Sequence, residues 1–93
     1  MDKNEMKSIL KKEIIERLEL FIDEEAFKDD MPLFGYNDDG EGLGLDSIDV
    51  LEIIVILKKN FGVEINANEN RKYFQNINTL VELVSNLKEN SKV

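Results

Sequence analysis

A serine between two aspartates is the feature of this sequence best suited to chemistry. Ser47 belongs to the DSID run of residues 46–49, directly after a glycine-rich stretch. At the start of a helix such a hydroxyl is exposed, and the N–H groups of a helix N-terminus favour a phosphate. The position would therefore suit a serine that carries a phosphate. The alternative is that the pair only caps a helix, because Asp and Ser are both common N-caps.

The residue types that the chain lacks restrict this chemistry. It contains no Cys and no His, which removes thiol nucleophiles, imidazole bases, disulfides and Cys/His zinc sites. Carboxylates are plentiful, but they are weak support for a catalytic pair. We therefore expect no catalytic residues and no intrinsic metal site, and Ser47 would need a base from another protein.

A glycine-containing acidic segment, NDDGEG at residues 37–42, resembles a calcium-binding loop only superficially. Placing Gly40 at the invariant sixth position of such a loop puts Gly35 at position 1, where an acidic ligand belongs. It also puts Gly42 at position 8, where an apolar residue belongs. The segment fails as a calcium site.

Length and charge narrow the class of protein. A chain of 93 residues with 42% hydrophobic residues predicts one domain, residues 1–93. Its formal charge of −8 disfavours nucleic acid and anionic membranes as partners and favours basic protein patches. The N-terminus lacks the apolar stretch of a secretory signal, and no apolar run approaches a membrane span. We expect a cytoplasmic monomer without membrane insertion.

The first element predicted is an amphipathic helix between Met6 and Ile22. Its apolar residues recur at steps of three and four and so share one face: Met6, Leu10, Ile14, Leu18, Phe21 and Ile22. The following connection, residues 23–46, is long for a loop and contains Pro32 and four of the five glycines. Apolar residues within it predict a loop held on the core: Phe27, Leu33, Phe34, Leu43 and Leu45.

The segment from Ser47 to Asn60 is predicted to be a second helix, although its β-branched run at residues 53–56 would also suit a strand. It is longer than a typical strand, Asp46 is a good N-cap, and Asp49 adds negative charge to the first turn. Gly62 follows as a helix stop.

The C-terminal third predicts a short helical piece and a last helix. The short piece spans residues 69–74, within an Asn-rich segment typical of turns. The last helix begins at Asn78 or Thr79, where Thr79 and Glu82 fit a T-x-x-E capping box.

These features together resemble an acyl carrier protein. The segment GLGLDSIDVLEIIVILKKNFGV, residues 42–63, matches the Gly-x-Asp-Ser-Ile-Asp motif and helix of that family. Phe61 to Ile65 match its Phe-Gly-Val-Glu-Ile exit, and Thr79 matches the cap of its closing helix. The resemblance implies an all-α, acyl-carrier-like four-helix bundle with three main helices, one short helix and a long first loop.

The resemblance also implies what Ser47 does. A phosphopantetheinyl transferase, or holo-carrier synthase, would attach 4'-phosphopantetheine from coenzyme A to Ser47, with the transferase and its metal ion activating the serine. The thiol of this arm would hold acyl groups as thioesters for enzymes such as ketosynthases and acyltransferases, in fatty-acid or specialised lipid biosynthesis. The chain would be a carrier and not an enzyme.

Apolar residues near the predicted second helix are expected to pack in the core, where a subset would shelter the acyl chain. Each contributes roughly 1.5–3 kcal/mol on burial. On the second helix we expect Leu51, Ile54, Val55 and Leu57 to face inward. The candidates for the acyl pocket are Leu51, Ile54, Val55, Phe61, Val63, Phe74, Ile77 and Leu80.

Partner enzymes of the family meet acidic residues along the second helix, which implies Asp46, Asp49 and Glu52 as contacts, together with Ile48 of the same motif. The sequence departs from this pattern at Lys58, Lys59 and Asn60, where many members are acidic. These residues either complement the helix C-terminus or indicate unusual partners. The first loop is also lengthened by YNDDGE, residues 36–41. Both departures predict a specialised rather than a housekeeping member.

Two other functions remain open at this point. The cargo could be an aminoacyl or polyketide unit, because nothing in the sequence separates these from fatty acyl chains. The chain could also be an acidic helical interaction module without a prosthetic group, in which case Ser47 would stay unmodified.

Overall fold

The computed structural model describes residues 2–90 and is all-helical within them. Three α-helices, α1 at Lys3–Arg17, α2 at Ser47–Phe61 and α3 at Ile77–Asn90, are joined by loops and by a 3-10 helix at Arg71–Phe74. This part of the chain contains no strand. The predicted fold class, three main helices and a short one with a long first loop, is confirmed.

Helix α1 begins with a cap and buries the predicted face. The carboxylate of Asp2 accepts a hydrogen bond from the backbone N–H of Glu5 at 2.8 Å. Met6, Leu10 and Ile14 are buried, one turn apart along the helix. Because α1 packs against both α2 and α3, this single apolar face supports both of the other long helices.

The predicted end of the first helix at Ile22 is wrong. Helix α1 ends at Arg17 because Glu19 adopts a left-handed conformation with φ of 52°. The N–H of Leu20 donates to the carbonyl of Ile15 at 2.9 Å, and that of Glu19 donates to Glu16 at 3.3 Å. This is a Schellman motif, in which glycine usually takes the left-handed position. Phe21, expected in the core, is therefore fully exposed.

The connection from α1 to α2 is held on the core, as predicted. Phe27 and Leu33 are completely buried in it. Its backbone also bonds to distant segments: the N–H of Leu33 donates to the carbonyl of Gln75 at 2.9 Å, and the N–H of Asn78 donates to that of Asp29 at 3.1 Å. These bonds fix the loop against the start of α3, so a long segment without regular structure still has a defined path.

Helix α2 faces the core with a different set of residues from the expected one. Leu57 is buried as predicted, and Ile54 is half-buried, but Leu51 is 63% exposed and Val55 is 43% exposed. The expectation that these last two face inward is wrong. The buried face is formed by Ile53, Ile56, Leu57 and Phe61.

Helix α3 begins at Ile77, one or two residues before the predicted start, and its capping box is not the predicted one. Asn76 is the cap: its side-chain oxygen accepts from the N–H of Thr79 at 2.9 Å, while the Thr79 hydroxyl accepts from the N–H of Asn76 at 3.0 Å. The box predicted for Thr79 and Glu82 is therefore wrong. The reciprocal arrangement is the same, shifted by three residues.

One connected apolar cluster joins the three helices, the 3-10 helix and the long loop. Each of the three α-helices and the long loop contributes a completely buried member: Leu10, Leu33, Ile56 and Leu80. Among residues 2–90, none of the helices has the combined length and apolar character needed to cross a membrane.

Candidate functional site

The N-terminus of α2 is closed by two aspartates. The carboxylate of Asp46 accepts from the backbone N–H groups of Ile48 at 3.0 Å and of Asp49 at 3.3 Å. In return, the carboxylate of Asp49 accepts from the N–H of Asp46 at 3.0 Å. This capping box confirms Asp46 as the N-cap and fixes the direction in which the chain enters the helix.

Ser47 is the first residue of α2 and does not cap it. Its side chain is exposed, and its hydroxyl makes no hydrogen bond to any residue in the described part of the chain. Because Asp46 already supplies the cap, the interpretation of Ser47 as only a capping residue is wrong. The hydroxyl is available to a reactant approaching from solvent.

The loop that leads to Ser47 is shaped by a close contact. Gly44 has φ of 60°, and a Cβ placed on it would lie 2.3 Å from the hydroxyl oxygen of Tyr36. Any larger residue would have to displace the tyrosine ring as well as adopt a strained backbone. Two parts of this loop are also bonded together: the N–H of Leu45 donates to the carbonyl of Leu33 at 3.0 Å. The approach to the serine is thus a defined turn.

A groove of about 1040 Å³ has Ser47 in its lining and is open to solvent. Phe34, Leu45, Val50 and Phe74 give it apolar walls, while Arg71 is its cation. The complete lining is Asp30, Pro32, Phe34, Leu45, Ser47, Val50, Leu51, Ala67, Asn68, Arg71, Phe74, Gln75 and Asn76. The groove lies between the start of α2, the long connection and the segment around the 3-10 helix.

The acyl-pocket candidates are divided by the structure. Leu51 and Phe74 line the groove. Ile77 and Leu80 are completely buried, and Phe61 and Val63 are nearly so, all within the packed core. Ile54 is half-buried, and Val55 is exposed outside the groove.

Sequence reasoning missed most of the groove lining. Phe34 and Leu45 had been identified as core anchors, but Val50, Ala67 and Arg71 had no assigned role. These residues come from three segments that are far apart in the sequence. No local pattern could have shown that they meet beside Ser47.

The residues expected to contact partners have different surroundings. Ile48 is 71% exposed, whereas Asp46 and Asp49 are engaged with each other in the capping box. Glu52 forms an ion pair with Arg17 of α1. Ile48 belongs to a row of exposed aliphatic side chains spaced three and four residues apart, which we name the α2 ridge: Ile48, Leu51 and Val55.

The basic end of α2 points to solvent. Lys58 and Lys59 lie in the last turn, where positive charge is favourable to the helix dipole. Both are exposed, and Lys58 approaches Glu64 at 3.7 Å, a distance at which an exposed pair contributes little. Gly62 then ends the helix in the left-handed conformation, as predicted.

The extended part of the first loop is organised by Asn37. Its side-chain oxygen accepts from the N–H groups of Asp39 and Glu41, both at 2.9 Å. Glu41 pairs with Lys28 at 2.7 Å, a hydrogen bond that lowers the pKa of Glu41 and raises the pKa of Lys28. No cluster of three acidic or other metal-binding side chains that could hold a metal ion occurs among residues 2–90.

A second ionic cluster ties α1 to the connection. The carboxylate of Asp29 accepts from Lys11 at 2.6 Å and from Lys7 at 3.2 Å. The hydrogen bond from Lys11 is the main reason that the pKa of Asp29 is lowered, and partial burial opposes it. This cluster lies apart from the groove and stabilises the loop.

Comparison with known proteins adds an independent finding. The family model described as "Phosphopantetheine attachment site" matches residues 8–87. The matched range includes α2, the groove and nearly all of the core. Neither the curated proteins nor the solved structures contain a match to the chain.

Proposed function

The chain belongs to the phosphopantetheine attachment site family, whose members are carriers of the acyl carrier protein type, and we propose that its own attachment residue is Ser47. The family attaches 4'-phosphopantetheine as a prosthetic group. The observation that carries the proposal is the state of the serine: an exposed hydroxyl at the start of α2, free of hydrogen bonds among the described residues, in the lining of a groove.

The surroundings of Ser47 leave its hydroxyl open to a transferase. The hydroxyl can approach the transferase without loss of a structural bond, because Asp46 caps the helix instead. The Ser47 Oγ attacks the β-phosphorus of coenzyme A, forming an Oγ–P bond and breaking the pyrophosphate bond. The adenosine bisphosphate leaves with the electron pair of that bond. The serine proton passes to a base of the transferase, since the chain has no His.

When bound, the arm supplies a thiol that holds acyl groups as thioesters. We propose that this cargo serves fatty-acid or specialised lipid biosynthesis, with an aminoacyl or polyketide unit as the alternative cargo. The chain then acts as a non-catalytic substrate of other enzymes. Residues 1–93 would form one carrier domain, working as a monomer in the cytoplasm, where coenzyme A would be the donor.

Carrier domains of this family work with synthases and transferases. For this chain we propose a phosphopantetheinyl transferase, ketosynthases and acyltransferases, docking at the start of α2. Ile48 is the exposed apolar contact, beside Asp46, Asp49 and Glu52. The acidic residues have structural partners as well, so their charge is partly compensated before docking. Exposed aliphatic groups then provide much of the contact area.

Intact mass measurement tests the attachment. The protein is incubated with coenzyme A, Mg²⁺ and a broad-specificity phosphopantetheinyl transferase. We expect the wild-type chain to gain the mass of one phosphopantetheine group and Ser47→Ala to gain none. Ser8→Ala is the matched control, because the Ser8 hydroxyl already donates to Glu24 at 2.9 Å, and it should be modified like the wild type.

The transferase is checked in parallel on a known carrier. If it modifies that carrier but the wild-type mass stays unchanged, the proposal is rejected, and an interaction module without a prosthetic group becomes the better interpretation. Modification that persists in Ser47→Ala would assign the arm to another residue.

The proposal of a specialised pathway is tested separately, at the basic end of α2. If Lys58 and Lys59 direct the chain away from housekeeping partners, then changing both to Glu should increase loading by housekeeping elongation enzymes. Lys12→Glu with Lys72→Glu gives the same change in charge at exposed positions elsewhere. No gain relative to this control would count against a role of these charges in partner choice.

A further inference from the structure

The groove beside Ser47 contains a cation that has no ion-pair partner among residues 2–90. Arg71 is exposed on the 3-10 helix, and no carboxylate among residues 2–90 lies within the 4.0 Å limit of an ion pair with its guanidinium. The other arginine, Arg17, is paired with Glu52. Within the described lining, Arg71 is the only positive side chain and Asp30 the only negative one.

An anion attached at the start of α2 would lie next to negative charges, so a nearby cation would stabilise it. Asp46 and Asp49 flank Ser47, and the carboxylate of Asp46 already accepts the N–H groups of Ile48 and Asp49. The donors that usually favour a phosphate at a helix N-terminus are thus partly used. A phosphodiester at Ser47 would be a third negative charge beside two carboxylates, in a chain of net charge −8.

We propose that Arg71 binds an anionic oxygen group of the modified arm, namely the phosphodiester at Ser47 or a carboxylate of the cargo. The proposal rests on the proposed attachment at Ser47. A guanidinium presents paired N–H donors that match phosphate and carboxylate oxygens, and it remains charged throughout the physiological pH range. Asp30, the only carboxylate in the described lining, forms no ion pair with Arg71.

The pairing would also give the arm a direction. An arm attached at Ser47 and held by Arg71 runs along the groove, over the apolar side chains of Phe34, Leu45 and Phe74. Arg71 is therefore a positioning residue for the arm.

Nuclear magnetic resonance of the arginine side chains tests the proposal on the intact chain. With only two arginines in the sequence, the Nε–H signals can be assigned by the loss of one in Arg71→Lys. We expect conversion to the phosphopantetheine form to shift the Arg71 signal downfield and to slow its exchange with water. The Arg17 signal, already paired with Glu52, serves as the internal reference and should not move.

Two further measurements distinguish the possible sources of the anion. The same transferase is supplied with acetyl-coenzyme A or malonyl-coenzyme A, which differ by a carboxylate on the cargo. In one outcome, the Arg71 signal shifts already in the phosphopantetheine form without cargo, and the ³¹P signal changes in Arg71→Gln but not in Lys72→Gln. That result identifies the phosphodiester as the group bound by Arg71. A shift that appears only with malonyl cargo assigns the carboxylate.

An Arg71 signal that is the same in the unmodified, unloaded, acetyl and malonyl forms would overturn the proposal. Failure of the underlying attachment is seen separately, as the absence of a mass gain. Lys72 is the matched control because it is the neighbouring exposed cation on the same 3-10 helix but does not line the groove.

Discussion

The two faces of α2 carry similar aliphatic side chains in opposite surroundings. On the inner face, Ile53, Ile56 and Leu57 have no exposed surface. On the outer face, the α2 ridge of Ile48, Leu51 and Val55 is 71%, 63% and 43% exposed. The fold is stabilised by the first set and does not use the second. A row of exposed aliphatic residues beside Ser47 is therefore available for docking, since contiguous exposed apolar surface commonly marks an interaction site.

The largest effect on stability is expected from truncating the inner face. Ile56→Ala should lower the free energy of unfolding by about 2–5 kcal/mol, because it leaves a cavity in a packed core. Leu51→Ala removes a similar volume from the ridge and should change stability by no more than about 0.5 kcal/mol. Urea unfolding followed by circular dichroism measures both. Similar losses for the two variants would show that the faces are not distinguished as described.

A second variant tests whether the start of α2 depends on its cap more than on packing. Asp46→Ala removes the acceptor for two backbone N–H groups and should cost about 0.5–2 kcal/mol. Asp38→Ala is the control, since it makes the same charge change at an exposed loop residue. A loss no greater than that of the control would indicate that packing alone holds this end of the helix.

The contrast between the faces also explains what the sequence could predict. The ends of α2 carry local signals, Asp46 at one and Gly62 at the other, and both predictions are confirmed. No local signal shows which face of α2 is buried, because residues 50–57 are apolar except for Glu52. A helix that is apolar nearly all round does not identify its buried face by periodicity. That choice depends on where α1 and α3 lie.

The other errors have a similar origin. Glu19 takes a left-handed position usually filled by glycine, so no residue type marked the end of α1. At α3, the sequence allows a box between Asn76 and Thr79 as well as one between Thr79 and Glu82, and the first of these forms. Ser47 was predicted as the attachment residue from its local motif, whereas the groove is formed by segments that are distant in the sequence and could not be predicted.

The long connection is held by ion pairs of Asp29, whereas α2 is held by apolar packing. The contribution of the ion pairs to stability can be measured through its dependence on pH. The pKa of Asp29 is lowered in the folded state, chiefly by the hydrogen bond from Lys11. Its contribution is thus present above the unfolded pKa of about 3.9 and is lost as pH falls through the folded pKa. Asp29→Asn should cost about 1 kcal/mol or less at pH 7, because the carboxylate is partly exposed.

Unfolding of the wild type and of Asp29→Asn is compared at pH 7 and at pH 2.5. The difference between the two proteins should shrink at the lower pH, because the contribution of the Asp29 carboxylate is lost as the pH falls through its lowered folded-state pKa. Ile56→Ala, which has no titrating group, should keep its deficit relative to the wild type at both values. A difference for Asp29→Asn that is unchanged by pH would assign its effect to packing and not to charge.

The smallest effect is expected at Glu52, which lies on α2 one turn after Ile48 and pairs with Arg17 of α1. Both side chains of the pair are more than a third exposed, so Glu52→Gln should cost only about 0.2–1 kcal/mol, and less at high salt. Glu69→Gln makes the same charge change at an exposed residue without an ion pair in the described part of the chain and should have no effect. A loss at Glu52 as large as that of Ile56→Ala would mean that the outer side of α2 is held by this pair. The ridge could then not be separated from the fold.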